Sequence, residues 1–173
     1  MDEILIVGGG IGGLTLALEL HRRAVPCRVL ESAPEMKAVG VGINLLPHAT
    51  RVLAGLGLQE ALAAVAVETK EAAFFNRFGQ LIYREPLGRA AGYEWPQFSI
   101  HRGDLQAILI DAVRARLGAE RLQLGWHCEG FEQSQGEVTL RFKGKPSLKG
   151  KAAIACDGIH SAIRRQLYPD EGE

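Results

Sequence analysis

Ile4-Leu5-Ile6-Val7-Gly8-Gly9-Gly10-Ile11-Gly12-Gly13, then a helical run to Arg23 and the segment Cys27-Arg28-Val29-Leu30-Glu31, decides the fold. Ile4 to Val7 is a short unbroken apolar run, the pattern of a strand buried on both faces. Leu14, Ala17 and Leu18 share one stripe of the helical run. His21, Arg22 and Arg23 gather at its C-terminal end, where the helix dipole is negative. Pro26 closes a turn before a second buried strand, Cys27 to Leu30, which ends at Glu31. Gly8, Gly10 and Gly13 match G-x-G-x-x-G between strand and helix. Gly8 permits the tight turn, Gly10 lets a diphosphate approach without a Cβ in the way, and Gly13 lets helix and sheet pack closely. Phosphates would sit on the N–H groups of Ile11, Gly12 and Gly13, at the positive end of the dipole. Glu31 follows Gly13 by 18 residues, where a carboxylate accepts hydrogen bonds from ribose hydroxyls. The unit suits the ADP half of a dinucleotide. The acid disfavours NADP here, because a 2′-phosphate would meet a like charge, but it does not separate FAD from NAD.

Composition narrows the class. A chain of 173 residues is one ordinary domain, and 47% apolar with 23% charged residues is the balance of a soluble globular protein. Lys plus Arg and Asp plus Glu number 20 each, leaving no net positive field to hold nucleic acid or an anionic membrane. No apolar run approaches the roughly 20 residues that span a bilayer. Met1-Asp2-Glu3 lacks a basic leader. Cys27, Cys128 and Cys156 are odd in number and form no C-x-x-C, so neither disulfide nor metal is expected, and a reducing cytoplasm is the expected setting.

Further along, Gly40-Val41-Gly42 reads as a flexible loop leading to a helix from about Pro47 to Leu56. Ala73–Phe75 and Leu81–Tyr83, flanking Asn76, Gly79 and Gln80, predict a hairpin across Ala72 to Glu85. A loop rich in Gly, Pro and aromatics covers Gly88 to Gln97, with Tyr93 and Trp95. An amphipathic helix is predicted from about Asp104 to Leu117, with Leu105, Ile108, Leu109, Ala112 and Leu117 at core spacing. Leu122–Leu124, Cys128–Gln133, Val138–Phe142 and a buried Ala152–Cys156 are predicted strands. The order gives an α/β domain, Rossmann-like, interrupted by a β-rich excursion.

Asp157-Gly158-Ile159-His160-Ser161-Ala162-Ile163-Arg164 follows the last of these strands and opens a helix. Asp-Gly makes a tight turn and Ser161 can cap the helix, which is sufficient reason for those residues in any fold. The stretch also resembles D-G-x-x-S-x-x-R of the group A FAD-dependent aromatic monooxygenases, the p-hydroxybenzoate hydroxylase type. Gly40-Val41-Gly42-Ile43-Asn44 with Pro47 matches that family's G-x-G-I-x-x-x-P loop, and His101-Arg102-Gly103-Asp104-Leu105 matches its H-R-x-D-L helix start. The motifs stand in the family's order across nearly the whole chain. Gly40 to Asn44 and Ser99 to Gly103 are most like the salicylate hydroxylase and phenazine hydroxylase branch.

The resemblance implies a glutathione-reductase-type FAD-binding domain over residues 1–70 and 100–173, with 71–99 beginning a substrate-binding β insertion. It implies FAD as cofactor, NADPH or NADH as co-substrate, and O2 that attacks a small aromatic substrate through a C4a-hydroperoxyflavin, in a cytoplasmic enzyme. It places Arg102 at the diphosphate, where a cation at a helix start needs an anion; a surface pairing with Asp104 or Glu94 is the alternative. Lys37 stands where relatives carry an arginine near the adenosine ribose and keeps only the charge. Cys128 would grip adenine through its main chain, or be merely a buried small hydrophobe. Asp157 would lie near the pyrophosphate and the nicotinamide route, with Arg164 pairing to it. His48 would lie near the isoalloxazine or substrate, or simply on a helix surface; His160 has no role. Tyr93, Trp95 and Phe98 would open the substrate region or serve packing. No catalytic residue is identified. The family's second flavin motif, a Gly-Asp pair with alanine-histidine, has no match before Glu173, so an N-terminal fragment is expected. A non-catalytic dinucleotide-binding module, or another FAD oxidoreductase such as a reductase or epoxidase, are the alternative functions.

Overall fold

The computed structural model describes residues 3–37 and 40–171. In chain order the elements begin with β1 (Ile4–Val7), α1 (Ile11–Arg22), β2 (Cys27–Glu31), β3 (Gly42–Leu45), α2 (Pro47–Gly55) and α3 (Gln59–Val65). Then come β4 (Val67–Glu68), β5 (Glu71–Phe75), β6 (Leu81–Pro86), β7 (Phe98–His101) and α4 (Arg102–Leu117). The last are β8 (Leu122–Leu124), β9 (Cys128–Ser134), β10 (Glu137–Phe142), β11 (Lys145–Gly150), β12 (Ala152–Ala155) and α5 (Ala162–Leu167). The chain divides into two compact units, one joining the residues up to Lys37 with those from Leu109 on, the other running from Ala38 to Ile108.

The first unit holds a parallel sheet in the order β12-β1-β2-β8. Leu5, Ile6, Val7, Val29 and Leu30 are buried, as interior parallel strands require. α1 buries Leu14, Ala17 and Leu18, and its outer face ties Arg22 and Arg23 to Glu19. Strands β9, β10 and β11 form an antiparallel sheet. Its Val138, Leu140 and Phe142 join Leu5, Val7, Leu30, Cys128 and Ile163 in one core cluster. Each buried aliphatic or aromatic side chain there contributes about 1.5–3 kcal/mol. α5 is pinned to β9 by a reciprocal pair: Phe131 N–H donates to Gln166 Oε1 at 2.9 Å, and Gln166 Nε2 donates to the Phe131 carbonyl at 2.7 Å.

The second unit contains the sheet β3-β7-β4, the ribbon β5-β6, and helices α2 and α3. Its buried side chains include Leu45, Leu53, Leu56, Leu62, Phe98, Ile100 and Leu105. Thr50 Oγ1 donates to the Pro96 carbonyl at 2.7 Å, fastening the start of α2 to the loop before β7.

The α/β class, the β1-α1-β2 unit, the hairpin, the α2 segment and the later strands are as expected. Several details differ. β12 is not buried: Ala152, Ile154 and Ala155 are exposed because β12 is an edge strand with β1 as its only sheet neighbour among the described residues. An apolar run does not distinguish an interior strand from an edge. Gly42 belongs to β3 rather than to a loop; Phe98 opens β7 and is buried, in keeping with the packing alternative. Both strands have four residues and carry polar side chains: Ser99 Oγ donates to Asn44 Oδ1 at 2.7 Å. α3 is a seven-residue helix with no side-chain cap. β11 is polar, and its Pro146 is tolerated at a sheet edge. In α4, Ile110 and Val113 are buried, whereas Ile108 and Leu117 are only half-buried. No helix among the described residues is long and apolar enough to cross a membrane.

Two outcomes follow from this packing. A Cβ at Gly13 would stand 2.0 Å from the Gly8 carbonyl oxygen, while one at Gly12 meets nothing within 4 Å. Gly13→Ala is expected to lower stability by about 1–3 kcal/mol, and Gly12→Ala to leave it unchanged or raise it by up to about 1 kcal/mol, in urea unfolding of the ligand-free chain. Burial beneath α1 pushes the Cys27 thiol up to about 11. Relative to an unperturbed thiol near 8.5, the thiolate at neutral pH falls by about a hundredfold or more. Labelling of native chain with a disulfide reagent should therefore leave Cys27 unmodified until denaturant is added.

Candidate functional site

The glycine loop is a crossing of backbones. Gly8 has φ +104°, and a Cβ there would stand 2.3 Å from the Cys156 carbonyl oxygen and 3.0 Å from the Asp157 Cα. Gly8 N–H donates to the Leu30 carbonyl at 2.8 Å. The loop thus lies at the C-terminal ends of β1, β2 and β12, where open α/β sheets bind ligands. Gly9 N–H donates to Glu31 Oε2 at 2.6 Å, while Glu31 Oε1 accepts from Ala33 N–H at 2.8 Å and from Ser32 Oγ at 3.1 Å. The carboxylate shapes the loop as well as facing it, a role the spacing of Glu31 did not disclose.

At Gly10 a Cβ would meet nothing within 4 Å. Gly10 is also the N-cap of α1, has no side chain to cap with, and the first turn contains no acid. The first-turn donors at Ile11, Gly12 and Gly13 therefore have no capping side chain, an arrangement that favours an anion.

Asp157 Oδ2 accepts from Ala162 N–H at 3.0 Å. Its Oδ1 is buried and has no hydrogen-bond partner among the described residues. An orphaned carboxylate oxygen beside the glycine loop is costly unless a donor arrives. Ser161 caps α5, its Oγ accepting from Arg164 N–H at 2.9 Å, as expected. Arg164 does not pair with Asp157; its Nε donates to Glu171 at 2.7 Å, so the Asp157 carboxylate is left for another partner. His160 is exposed.

The remaining candidates are more dispersed. Cys128 is buried in the core at the start of β9, and burial raises its thiol pKa, so the sulfur is inert packing. Lys37 is exposed and pairs with Glu35 at 2.6 Å. In the second unit, Arg102 lies against Gly40, where a Cβ would come within 3.1 Å of the Arg102 Cδ. Arg102 makes no ion pair with Asp104 or Glu94 among the described residues, so its guanidinium is available. His48 and the loop residues Tyr93 and Trp95 line one cleft of about 650 Å³ together with Arg51, which sequence reasoning missed. A single arginine on a short helix carries no pattern to mark it. No group of three or more metal-ligating side chains occurs among the described residues.

An uncapped helix start, open space at Gly10 and a buried carboxylate oxygen without a donor together fit a dinucleotide that brings both phosphates and hydroxyls. Comparison with known proteins agrees. Residues 1–172 match the family described as FAD binding domain. The chain is 42% identical to the phenazine 1,6-dicarboxylic acid hydroxylase of Lysobacter antibioticus, over 99% of this chain and 44% of that protein. It is 36% identical to the salicylate hydroxylase of Pseudomonas putida, over 98% of this chain and 39% of that one. Among solved structures, HpxO of Klebsiella pneumoniae complexed with FAD and uric acid superposes with a TM-score of 0.81 at 26% identity, covering 95% of this chain and 41% of that one. The p-nitrophenol 4-monooxygenase of Pseudomonas putida reaches a TM-score of 0.86 at 24% identity, covering 96% and 44%, and supports the fold. The chain spans about two fifths of the length of the curated relatives it matches. It belongs to the FAD-binding family of group A flavin-dependent monooxygenases and corresponds to the N-terminal portion of its members.

Proposed function

We propose that this chain is the dinucleotide-binding portion of an FAD-dependent aromatic hydroxylase that uses NADH or NADPH and O2 on a small aromatic substrate. The observation that carries the reading is the Asp157 carboxylate: one oxygen buried without a donor among the described residues, beside a glycine loop whose helix start has no side-chain cap. In this reading the N–H groups of Ile11, Gly12 and Gly13 bind the diphosphate, with the open face of Gly10 admitting it. Glu31 binds the ribose through the Oε2 lone pair left over after Gly9, Oε1 being taken by Ala33 and Ser32. Asp157 Oδ1 accepts from a ligand hydroxyl. Arg102 and Lys37 supply positive charge, and the main chain at Cys128 contacts adenine. FAD, when bound, supplies the redox chemistry, taking electrons from NAD(P)H and passing them to O2. The protein's own part is to hold, orient and shield it. Residues 1–70 and 100–173 form the FAD-binding region in this assignment, and 71–99 begin the substrate region.

A second reading has an observation in its favour. The β5–β6 ribbon exposes large apolar side chains, Phe78 at 72% and Ile82 at 68% among them. Apolar surface left this open does not by itself exclude water from reacting groups. On that reading the 173-residue chain binds FAD without turning over.

Binding and turnover separate the two. Flavin fluorescence titration should show saturable FAD binding. Gly10→Val should weaken it about tenfold or more without lowering the unfolding midpoint of the ligand-free chain, because the added side chain occupies ligand space only. Asp157→Asn should weaken it about tenfold, since an amide has one acceptor oxygen for two donors. Unaltered FAD affinity in both variants would remove the assignment. For turnover, NAD(P)H oxidation by the FAD-loaded chain is followed with and without 3-hydroxybenzoate. Stimulation by the aromatic acid supports the hydroxylase reading, and FAD binding with no stimulated oxidation supports the module.

A further inference from the structure

We infer that His101 is a positioning residue: its neutral imidazole ties the Gly40 loop to the start of α4 and so holds Arg102 ready for an anionic ligand. The inference deepens the proposed function and rests on it where Arg102 is taken to meet the FAD diphosphate.

The pairing of β3 with β7 ends at Gly42 and His101, which stand opposite each other. Beyond that point two bonds tie the loop among the described residues. Arg102 N–H donates to the Val41 carbonyl at 3.1 Å, and His101 Nε2 lies 3.1 Å from the Gly40 carbonyl oxygen. The other ring nitrogen, Nδ1, accepts from Gly103 N–H at 3.2 Å. Each backbone partner has one role only, since an N–H donates and a carbonyl accepts. Together they fix the tautomer, with the proton on Nε2 and Nδ1 bare. A doubly protonated ring would set a second N–H against Gly103 N–H, at the positive end of the α4 dipole. Only the neutral ring makes both bonds. All of these residues belong to the second unit.

The loop that His101 holds is also the wall along which Arg102 runs. Gly40 adopts φ +127°, and a Cβ there would stand 3.1 Å from Arg102 Cδ, 3.4 Å from its Cβ and 3.7 Å from its Cγ. The aliphatic stem therefore lies along Gly40. Arg102 has no ion pair with Asp104 or Glu94 among the described residues, so neither acid orients its guanidinium. Its direction is set by the stem, and the position of the stem by the loop. An arginine on a loose loop loses conformational freedom when an anion arrives, and one already held loses less. His101 is itself exposed, so replacing it removes its two bonds and leaves the core packing alone.

Substitutions that keep one half of the ring separate the two bonds. Asparagine supplies the acceptor for Gly103 but does not reach Gly40, whereas glutamine reaches Gly40 with an amide N–H. His101→Asn should weaken FAD binding about three- to tenfold, the worth of one lost bond, with the unfolding midpoint of the ligand-free chain unchanged. His101→Gln should recover most of that affinity. Arg102→Gln should weaken binding about tenfold or more, and adding His101→Asn to it should cost nothing further, because His101 acts through Arg102. Without flavin, long-range ¹H–¹⁵N spectra of labelled chain at about pH 8, assigned with His101→Asn, should show the proton on Nε2. A ring protonated on Nδ1, or a His101→Asn effect that persists undiminished in Arg102→Gln, would overturn the inference alone. So would normal FAD affinity in His101→Asn beside weakened binding in Arg102→Gln. Undiminished affinity in Arg102→Gln would instead remove Arg102 from the proposed function and overturn the inference with it.

Discussion

Three backbone segments meet at Gly8 with no space for a side chain, and the first unit depends on that meeting. Gly8 closes against the Cys156 carbonyl and Gly13 closes against Gly8, so β1, α1 and β12 converge to within contact distance at one end of the sheet. Everything chemically relevant in this unit is held by that convergence. The helix start is uncapped because Gly10 has no side chain, the donors of its first turn point out of the sheet end, and Asp157 is drawn alongside because it follows Cys156 directly. Substituting any larger residue at Gly8 or Gly13 would separate these parts before altering their chemistry.

Local signals were strong in the first unit, which is why so much of it was legible. A buried strand, a glycine loop, an amphipathic stripe and a strand ending in an acid each leave a mark over four or five residues. Their order excludes most other folds. The Asp157-Gly158 turn and the Ser161 cap were equally readable, because turn and cap chemistry is local. What escaped was whatever depends on distant partners. β12 reads like an interior strand because Ala152-Ala153-Ile154-Ala155 is apolar, but its burial is set by how many strands lie beside it. β3 and β7 escaped because Asn44, Ser99 and His101 break the apolar pattern, and their pairing is secured by a side-chain bond across 55 positions. Arg164 was assigned to the nearest acid in the motif, and a later one, Glu171, holds it instead.

The same distinction explains the candidate sites. Gly8, Gly10, Gly13 and Glu31 are picked out as candidates by spacing, and Asp157 by the resemblance of its motif. The cleft of the second unit is not, since Arg51, Tyr93 and Trp95 come from elements that meet only in the fold, where Thr50 ties α2 to the Pro96 carbonyl. An arginine exposed on a nine-residue helix carries no mark in sequence; only the fold shows that Tyr93 and Trp95 share its cleft.

Glu31 shows how structure and binding share one group. Its carboxylate accepts from Gly9, Ala33 and Ser32, so it is fully engaged in shaping the loop before any ribose is present. A side chain held by three donors loses little further freedom when a ligand arrives, and Oε2, which accepts only from Gly9, keeps a lone pair for a hydroxyl. Asp157 is the opposite case, with one oxygen bonded to Ala162 and the other left without a donor. On the proposed assignment, one acid lowers the cost of binding by being already ordered, and the other raises the gain by being unsatisfied. A ligand with hydroxyls on either side of a diphosphate is the kind that draws on both.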